Sequence, residues 1–381
     1  MRTLSIILWS MLKTSYATWL EVDLQAIRHN IEKIQSLTNV SVMAVVKANA
    51  YGHGLINVAR TVRKMGLEWL GVARIDEALL LRDKGINGKI LVLGHTDPID
   101  VPLAVRHHIS LAVHSQSLVL PYQEMASHYD EKLMVHAKID TGMSRLGEEY
   151  TQAVQFIRSL FDCEGLQVEG VFTHMARADE LSLDTTDNQI EKFDKILEDL
   201  GPEREKIQWI HAANSAAAVF HPNTRFNMVR PGISIYGLNP SEEAPLPAGF
   251  EPALSWKSVI TSVKTVPPHR GISYGHRYIT SNYEKIGTIS VGYGDGYRRV
   301  PGNEVLVNGR KVPVLGNVCM DQCVISLNGL PDVKTGDEVV LLGKQGDQEI
   351  SAETLAKKWN TIVYEPICGL TGRIPRVYLN E

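Results

Sequence analysis

Eight short, nearly continuous apolar runs alternate with helical patterns up to about residue 230, and this alternation restricts the fold more than any other feature. The runs are Val40–Lys47, Leu67–Ala73, Lys89–Gly94, Ile109–His114, Leu133–Asp140, Leu166–His174, Ile207–Ala212 and Asn227–Arg230. Short unbroken runs are what strands covered on both faces require. Helical patterns follow most of them, while a connection rich in Asp and Pro follows Gly94. The pattern predicts an α/β chain, with a (β/α)8 TIM-like barrel over residues 18–240. A doubly wound open sheet is the alternative, but no dinucleotide-type glycine fingerprint follows any run.

The polar residues gather where such a barrel does chemistry, at the carboxyl ends of its strands. Lys47, within VVKANAYGHG, ends the first strand. Lys138 and Asp140 end the fifth and His174 the sixth. His211 and Asn214 end the seventh, and Arg230 the eighth. A lysine at a strand end costs free energy to bury unless it is paired, neutral or covalently used. Taken singly, each residue has an ordinary explanation: a lysine that snorkels, a rim histidine, an arginine paired with a carboxylate. Their coincidence at one rim is harder to explain that way. Asn214-Ser215 opens a helix after the seventh strand, and Gly232-Ile233 follows the eighth within RPGISIYG. A serine at a helix start caps it, and the same geometry turns N–H groups toward an anion. Together with Lys47 and Tyr51, these loops suit a phosphorylated aldehyde cofactor held as a Schiff base.

Beyond residue 240 the texture changes. Residues 241–250, rich in Pro, Glu and Ala, read as a linker, and 251–381 as a second, mainly β domain. Asn308-Gly309 between valine-rich runs marks a hairpin, and Ala352–Trp359 reads as a helix. Tyr274 stands between Ser273 and Gly275, where little bulk shields it. At the other end, Leu4–Leu12 is apolar but too short to span a bilayer, and no small-residue cleavage site follows it. Residues 1–17 read as an extension, with Met11 an alternative start that an intact mass beginning at Met1 would eliminate. A net charge of −4 gives no case for nucleic acid or an anionic membrane. Four cysteines without a CxxC pair suit reduced thiols in a cytoplasmic protein and no metal site.

Eight motifs in order, VVKANAYGHG, KIDTGMSRLG, VFTHMARADE, HAANSAAA, VRPGISIYG, SYGHRY, VGYGDGY and NVCMDQ, resemble those of the bacterial alanine racemases. The resemblance runs from about Thr18 to Tyr378. It implies a cytoplasmic, pyridoxal-phosphate-dependent isomerase that supplies D-alanine for peptidoglycan, working as a homodimer with shared active sites. Lys47 would form the Schiff base and be one proton-transfer base, and Tyr274 of the other subunit the opposite base. Arg230 would donate to the pyridine nitrogen with His211 behind it, and His174 would pack near the ring. Tyr51, Ser215, Gly232 and Ile233 would hold the phosphate. Arg145 would orient Tyr274 and meet the substrate carboxylate, assisted by backbone near Met320. Lys138 matches a lysine often carbamylated in the family, and Tyr293 and Asp179 match its access corridor. One position departs: some members carry a phosphate-binding tyrosine where this chain has Gly372, with Tyr364 or water left to fill the gap.

The residue types agree with that chemistry. Racemisation removes the Cα proton from one face and returns a proton to the other, which two bases on opposite sides accomplish. The cofactor acts as electron sink. An arginine at the pyridine nitrogen keeps its proton, which weakens the sink and favours proton exchange over transamination. Three alternatives remain: a racemase of wider scope that also takes serine, a barrel decarboxylase using Cys319 on the far face, and a non-enzymatic cofactor carrier. The roughly 130 residues after the linker disfavour the carrier.

Overall fold

The computed structural model describes residues 16–180, 182 and 184–381. The Leu4–Leu12 segment and both start-site readings lie outside the described residues. The chain divides into two compact units, one from Gln25 to Pro252 and one joining residues up to Leu24 with Ala253–Glu381.

The first unit is a parallel barrel. Its strands are Ser41–Val45, Trp69–Val72, Lys89–Val92, Ser110–Val113, Leu133–Asp140, Leu166–Phe172, Trp209–His211 and Met228–Val229. Each pairs with the next in chain order through the seventh, and the eighth pairs back to the first through Met228↔Ser41 and Val229↔Val42. Between the seventh and eighth strands, Asn227 N–H donates to Ile210 O (3.3 Å) and Arg230 N–H to Ala213 O (2.9 Å). The predicted α/β barrel is therefore the observed one. Its strands are almost wholly buried because the interior takes one face and the helices the other. Helix Leu55–Lys64 illustrates the outer layer, burying Leu55, Val58, Ala59 and Val62, a stripe at helical spacing. Met43, Trp69, Leu91 and Met228 form an apolar cluster from four neighbouring strands.

Three local differences from the sequence reading have physical causes. The Asp- and Pro-rich connection after the third strand contains helix Val101–Arg106. Asp97 starts the preceding turn by accepting from Ile99 N–H (3.0 Å), and Pro98 enters with its φ already set. Thr18–Asp23, expected at the start of the barrel domain, is a strand of the second unit. It lies antiparallel to Leu254–Ser258 and parallel to Arg376–Leu379. Residues 241–250, expected as a linker, stay with the barrel unit. There Ser241 Oγ donates to Asp179 O, and Asn239 Oδ1 accepts from Leu246 N–H (2.8 Å).

The second unit is mainly β. The long strand Leu254–Val266 pairs with Glu338–Gln345 along its first half and with Glu284–Ile289 along its second. Strands Glu304–Val307, Arg310–Leu315 and Cys323–Ser326 complete a closed ring of six. A register shift between Ile260 and Ser262 lets the long strand bend from one partner to the other. The hairpin read at Asn308-Gly309 is present: both residues have positive φ (48° and 72°), as a type I′ turn requires. The predicted helix is observed as Ala352–Lys358.

Candidate active site

The barrel rim begins with an unusual turn. Directly after Lys47, residues Ala48, Asn49, Ala50 and Tyr51 all have φ between 51° and 56°. Left-handed backbone costs roughly 1–2 kcal/mol per non-glycine residue, so the turn holds strain of about 4–8 kcal/mol. Local hydrogen bonds oppose that strain. Glu77 accepts from Ala48 N–H (2.6 Å), Asn49 Oδ1 caps Leu55 N–H (2.9 Å), and His53 Nδ1 lies 3.0 Å from the carbonyls of Ala50 and Tyr51. Stored strain of this kind is characteristic of functional sites. Here it turns Tyr51 inward, to 7% exposure, instead of out along a regular helix.

Tyr51 meets the loops after the seventh and eighth strands. A Cβ placed on Gly232 would lie 2.3 Å from the Tyr51 hydroxyl, so only glycine admits the phenol there. Ser215 Oγ accepts from Gly232 N–H (2.8 Å) and Ser234 N–H (3.3 Å). Ser215 is the first residue of helix Ser215–Phe220, and Asn214 caps that helix by accepting from Ala217 N–H (3.0 Å). Ile233 opens the next turn, Ile233–Tyr236. A phenol, a hydroxyl and two turns beginning with N–H groups thus converge. This cradle fits a phosphate.

Beside it the charge is strongly positive. Burial first, then the charges of Arg145, Arg230 and Lys47, lower Lys138 from 10.5 to about 8. His174 is held well below the ordinary imidazole range by burial and then by Arg230, Arg145, Lys138 and Lys47. Arg230 is 3% exposed, and burial lowers its guanidinium to about 9, still cationic at neutral pH. It donates to Thr173 O (2.8 Å) and Ala212 O (3.0 Å), and reaches His211 Nδ1 (2.9 Å) and His174 Nδ1 (3.2 Å). The Phe172 ring stacks on His211 at 4.8 Å and lies 5.2 Å from Arg230 and 5.5 Å from Lys138. Arg145 is exposed on a loop shaped by Asp140, whose Oδ1 accepts from Gly142, Met143 and Ser144 N–H. Four cations and a neutral histidine around a phosphate cradle make a site for an anionic ligand with an aromatic ring, and Lys47 offers it an amine.

Nine of the expected residues therefore fall on the barrel rim: Lys47, Tyr51, Lys138, Arg145, His174, His211, Ser215, Arg230 and Gly232, with Ile233 next in chain. Asp179 lies in the loop after the sixth strand, where its carbonyl accepts from Ser241. The other candidates belong to the second unit. Tyr274, Tyr293 and Met320 line one cleft there, of about 750 Å³, with Arg299, Cys319, Asp321 and Gln322. Tyr274 is 68% exposed on a turn entered through Ser273 (φ 61°), and its carbonyl accepts from Asn317 Nδ2 (2.7 Å). Met320 O accepts from Gly294 N–H (2.9 Å), beside Tyr293. Tyr364 opens helix Tyr364–Cys368 of the same unit. Sequence reasoning did not single out Asn317, although it stands in NVCMDQ, nor His136 and Glu169, whose strands carry no motif that marks them. Among the described residues no group of three or more His, Cys, Asp or Glu side chains is arranged to hold a metal.

Comparison with known proteins follows this division. Residues 22–240 match the family described as "Alanine racemase, N-terminal domain" and residues 253–378 match "Alanine racemase, C-terminal domain". An alanine racemase of Halothermothrix orenii is 42% identical over 368 residues, covering 96% of this chain and 97% of the relative. The solved alanine racemase of Clostridium difficile 630 superposes with a TM-score of 0.90 at 37% identity, covering 96% of each chain. A histidine racemase of Leuconostoc mesenteroides superposes with a TM-score of 0.89 at 30% identity, covering 96% of this chain and 99% of the other.

Proposed function

The chain belongs to the alanine racemase family, and we propose that Lys47 and Tyr274 exchange the Cα proton from opposite faces of the substrate. The protein is a pyridoxal-phosphate-dependent isomerase that interconverts L- and D-alanine. When bound, the cofactor supplies an electron sink that lowers the barrier to losing the Cα proton. The observation that carries the residue assignment is the convergence of Lys47, Lys138, Arg145 and Arg230 beside the Tyr51–Ser215–Gly232 cradle.

The division of labour follows from the side chains. Tyr51, Ser215 and the N–H groups of Gly232 and Ile233 would hold the phosphate. Arg230, fixed by two carbonyls and two histidines, would donate to the ring nitrogen without surrendering its proton. That restraint favours return of a proton to Cα over transamination. His174 would pack beside the ring as a neutral imidazole. Arg145 would take the substrate carboxylate, assisted by backbone near Met320, and Tyr293 and Asp179 would line the approach. We assign Tyr274 to a second copy of the chain, in a homodimer with shared sites. Supporting this is the exposure of Tyr274 (68%), Met320 (54%) and Tyr293 (43%), large side chains gathered around one cleft. Cys163, Cys319 and Cys323 are free thiols, which suits a cytoplasmic protein, and no helix among the described residues is long and apolar enough to cross a membrane.

The direct test is a chirality-resolved assay. L-alanine incubated with the purified protein and pyridoxal phosphate should lose its optical rotation to zero as D-alanine rises to equality. A protein that takes up the cofactor yet leaves L-alanine optically unchanged is not a racemase of this kind.

Lys138 yields a second expectation. With its pKa near 8, its neutral amine is available near physiological pH, and carbamylation by dissolved CO2 would replace a buried positive charge with a negative one beside Arg145. Below pH 8 an unmodified Lys138 is charged both folded and unfolded, and burial together with the neighbouring cations makes that charge a liability of about 3 kcal/mol. The liability shrinks as pH rises toward 10.5. Bicarbonate should therefore raise the melting temperature at neutral pH, and Lys138→Ala should abolish that response. An unchanged response in the variant would exclude Lys138 as the carbamylated group.

A racemase of wider scope is the second reading. The histidine racemase shares this fold along nearly the whole chain, and a Cβ on Gly372 meets no atom within 4 Å. Gly372→Tyr should fold normally and shift preference toward alanine over serine. An unchanged alanine-to-serine ratio of kcat/KM would show that Gly372 does not set the scope.

A further inference from the structure

We infer that Glu169 is a positioning residue for Arg230, acting through His136 and His211 along a column of buried polar side chains inside the barrel. The inference rests on the proposed role of Arg230 but concerns how this chain holds it.

The column has one possible direction. Arg230 can only donate, so His211 Nδ1, 2.9 Å from its guanidinium, must be an acceptor. A neutral imidazole carries its proton on the other nitrogen, so His211 Nε2 donates to His136 Nδ1, 2.8 Å away. His136 then carries its own proton on Nε2, which faces Glu169 Oε2 at 3.4 Å, an ion-pair distance, and makes no hydrogen bond among the described residues. Glu169 closes the series by accepting from Ser110 Oγ (2.8 Å) and pairing with Lys89. A proton on His136 Nδ1 would leave His211 an imidazolate with two acceptor nitrogens, and would turn a bare His136 Nε2 toward the Glu169 carboxylate. The arginine at one end and the carboxylate at the other therefore select the same pair of tautomers.

Placement and burial support the reading. Lys89 and Ser110 are the first residues of the third and fourth strands, and His211 is the last of the seventh, so the column runs from the amino-terminal end to the reactive rim. His136 and His211 are 0% exposed and Glu169 3%. Burial would raise the Glu169 carboxyl, but donors from His136, Lys89 and Ser110 outweigh it and lower the group to about 2. Burial likewise holds both imidazoles below their ordinary range, and hence neutral. Gly170 makes room for the column: a Cβ there would lie 2.3 Å from His136 Nδ1. Branched aliphatic residues ordinarily fill a barrel interior, and replacing a buried polar set with them is often neutral or stabilising. Stability alone therefore does not account for a carboxylate and two imidazoles here. What they supply is a fixed lone pair facing Arg230, which prevents the guanidinium from turning away from the rim.

Long-range 1H–15N spectra of the protein with 15N-labelled histidine test this directly, without turnover. We expect His136 and His211 both neutral, each with Nε2 protonated and Nδ1 bare. Glu169→Gln keeps an acceptor oxygen for His136 and should retain both tautomers. Glu169→Leu removes it and leaves the His136 Nε2–H without its carboxylate, so that proton's 1H and 15N signals should shift while Arg230 still holds both tautomers; kcat should fall about tenfold, the scale on which outer partners act on the groups they orient, with a smaller change in KM. Wild-type rings with Nδ1 protonated, or an unchanged His136 Nε2–H signal in Glu169→Leu, would overturn the column even if that variant folds poorly and loses activity. Correct tautomers in a protein that does not racemise alanine would instead leave the column standing and reject the role given to Arg230.

Discussion

Lys47→Ala is expected to lower racemase turnover by about four orders of magnitude or more, the scale seen when a nucleophile or base is lost. It should also abolish covalent capture of the cofactor. Borohydride should fix a pyridoxyl group to the wild-type chain on the peptide containing residue 47, and leave the variant chain unlabelled after denaturation. The phosphate cradle is built from Tyr51, Ser215 and Gly232, so the variant should still take up the cofactor reversibly. Misfolding is not the expected cause of the loss. Lys47 is one of the charges that lower Lys138, so its removal relieves repulsion at the rim. Thermal unfolding without cofactor should show the variant at least as stable as the wild type. Full labelling of the Lys47→Ala chain would reassign the amine, with Lys138 the next to examine.

Much of this site was legible because the barrel places chemistry at a predictable rim. Once eight buried strands were counted, Lys47, His174, His211 and Arg230 fell at carboxyl ends by sequence position alone, and the structure keeps them there. What the sequence did not reveal depends on contacts distant in the chain or on unusual backbone. Thr18–Asp23 has a strand's composition, but its partners lie some 240 residues away, as Thr18↔Ser258 shows. No local pattern assigns it to one unit or the other. The left-handed turn after Lys47 is equally hidden: Ala48 and Ala50 are good helix formers, and only the surrounding hydrogen bonds impose φ near +53°. His136 and Glu169 lie in strands read simply as apolar, and their meaning appears only when two strands stand side by side. Fold class follows from periodicity, whereas a buried polar column follows from register.

Tyr274→Phe is expected to retain the cofactor and lose most turnover of L-alanine, because the phenyl ring fills the same space without a proton to exchange. Its sharper use is in combination. Lys47 belongs to the barrel unit and Tyr274 to the β unit, and the proposal joins them across two chains. Mixing the inactive Lys47→Ala and Tyr274→Phe proteins, with verified subunit exchange, should then restore activity. A mixed dimer has one site lacking both groups and one site carrying both. Random exchange makes about half the dimers mixed, so recovery should approach about a quarter of wild-type activity. If both bases came from one chain, no mixture would contain an intact site, and activity would stay at the level of the separate variants. The Tyr274 turn gives the prediction its physical basis. Ser273 enters at φ 61°, Asn317 holds the Tyr274 carbonyl, and the ring is left 68% exposed. Holding a large aromatic group outward on a strained turn is unfavourable for an isolated chain, and a second copy that covers it gives that conformation a function.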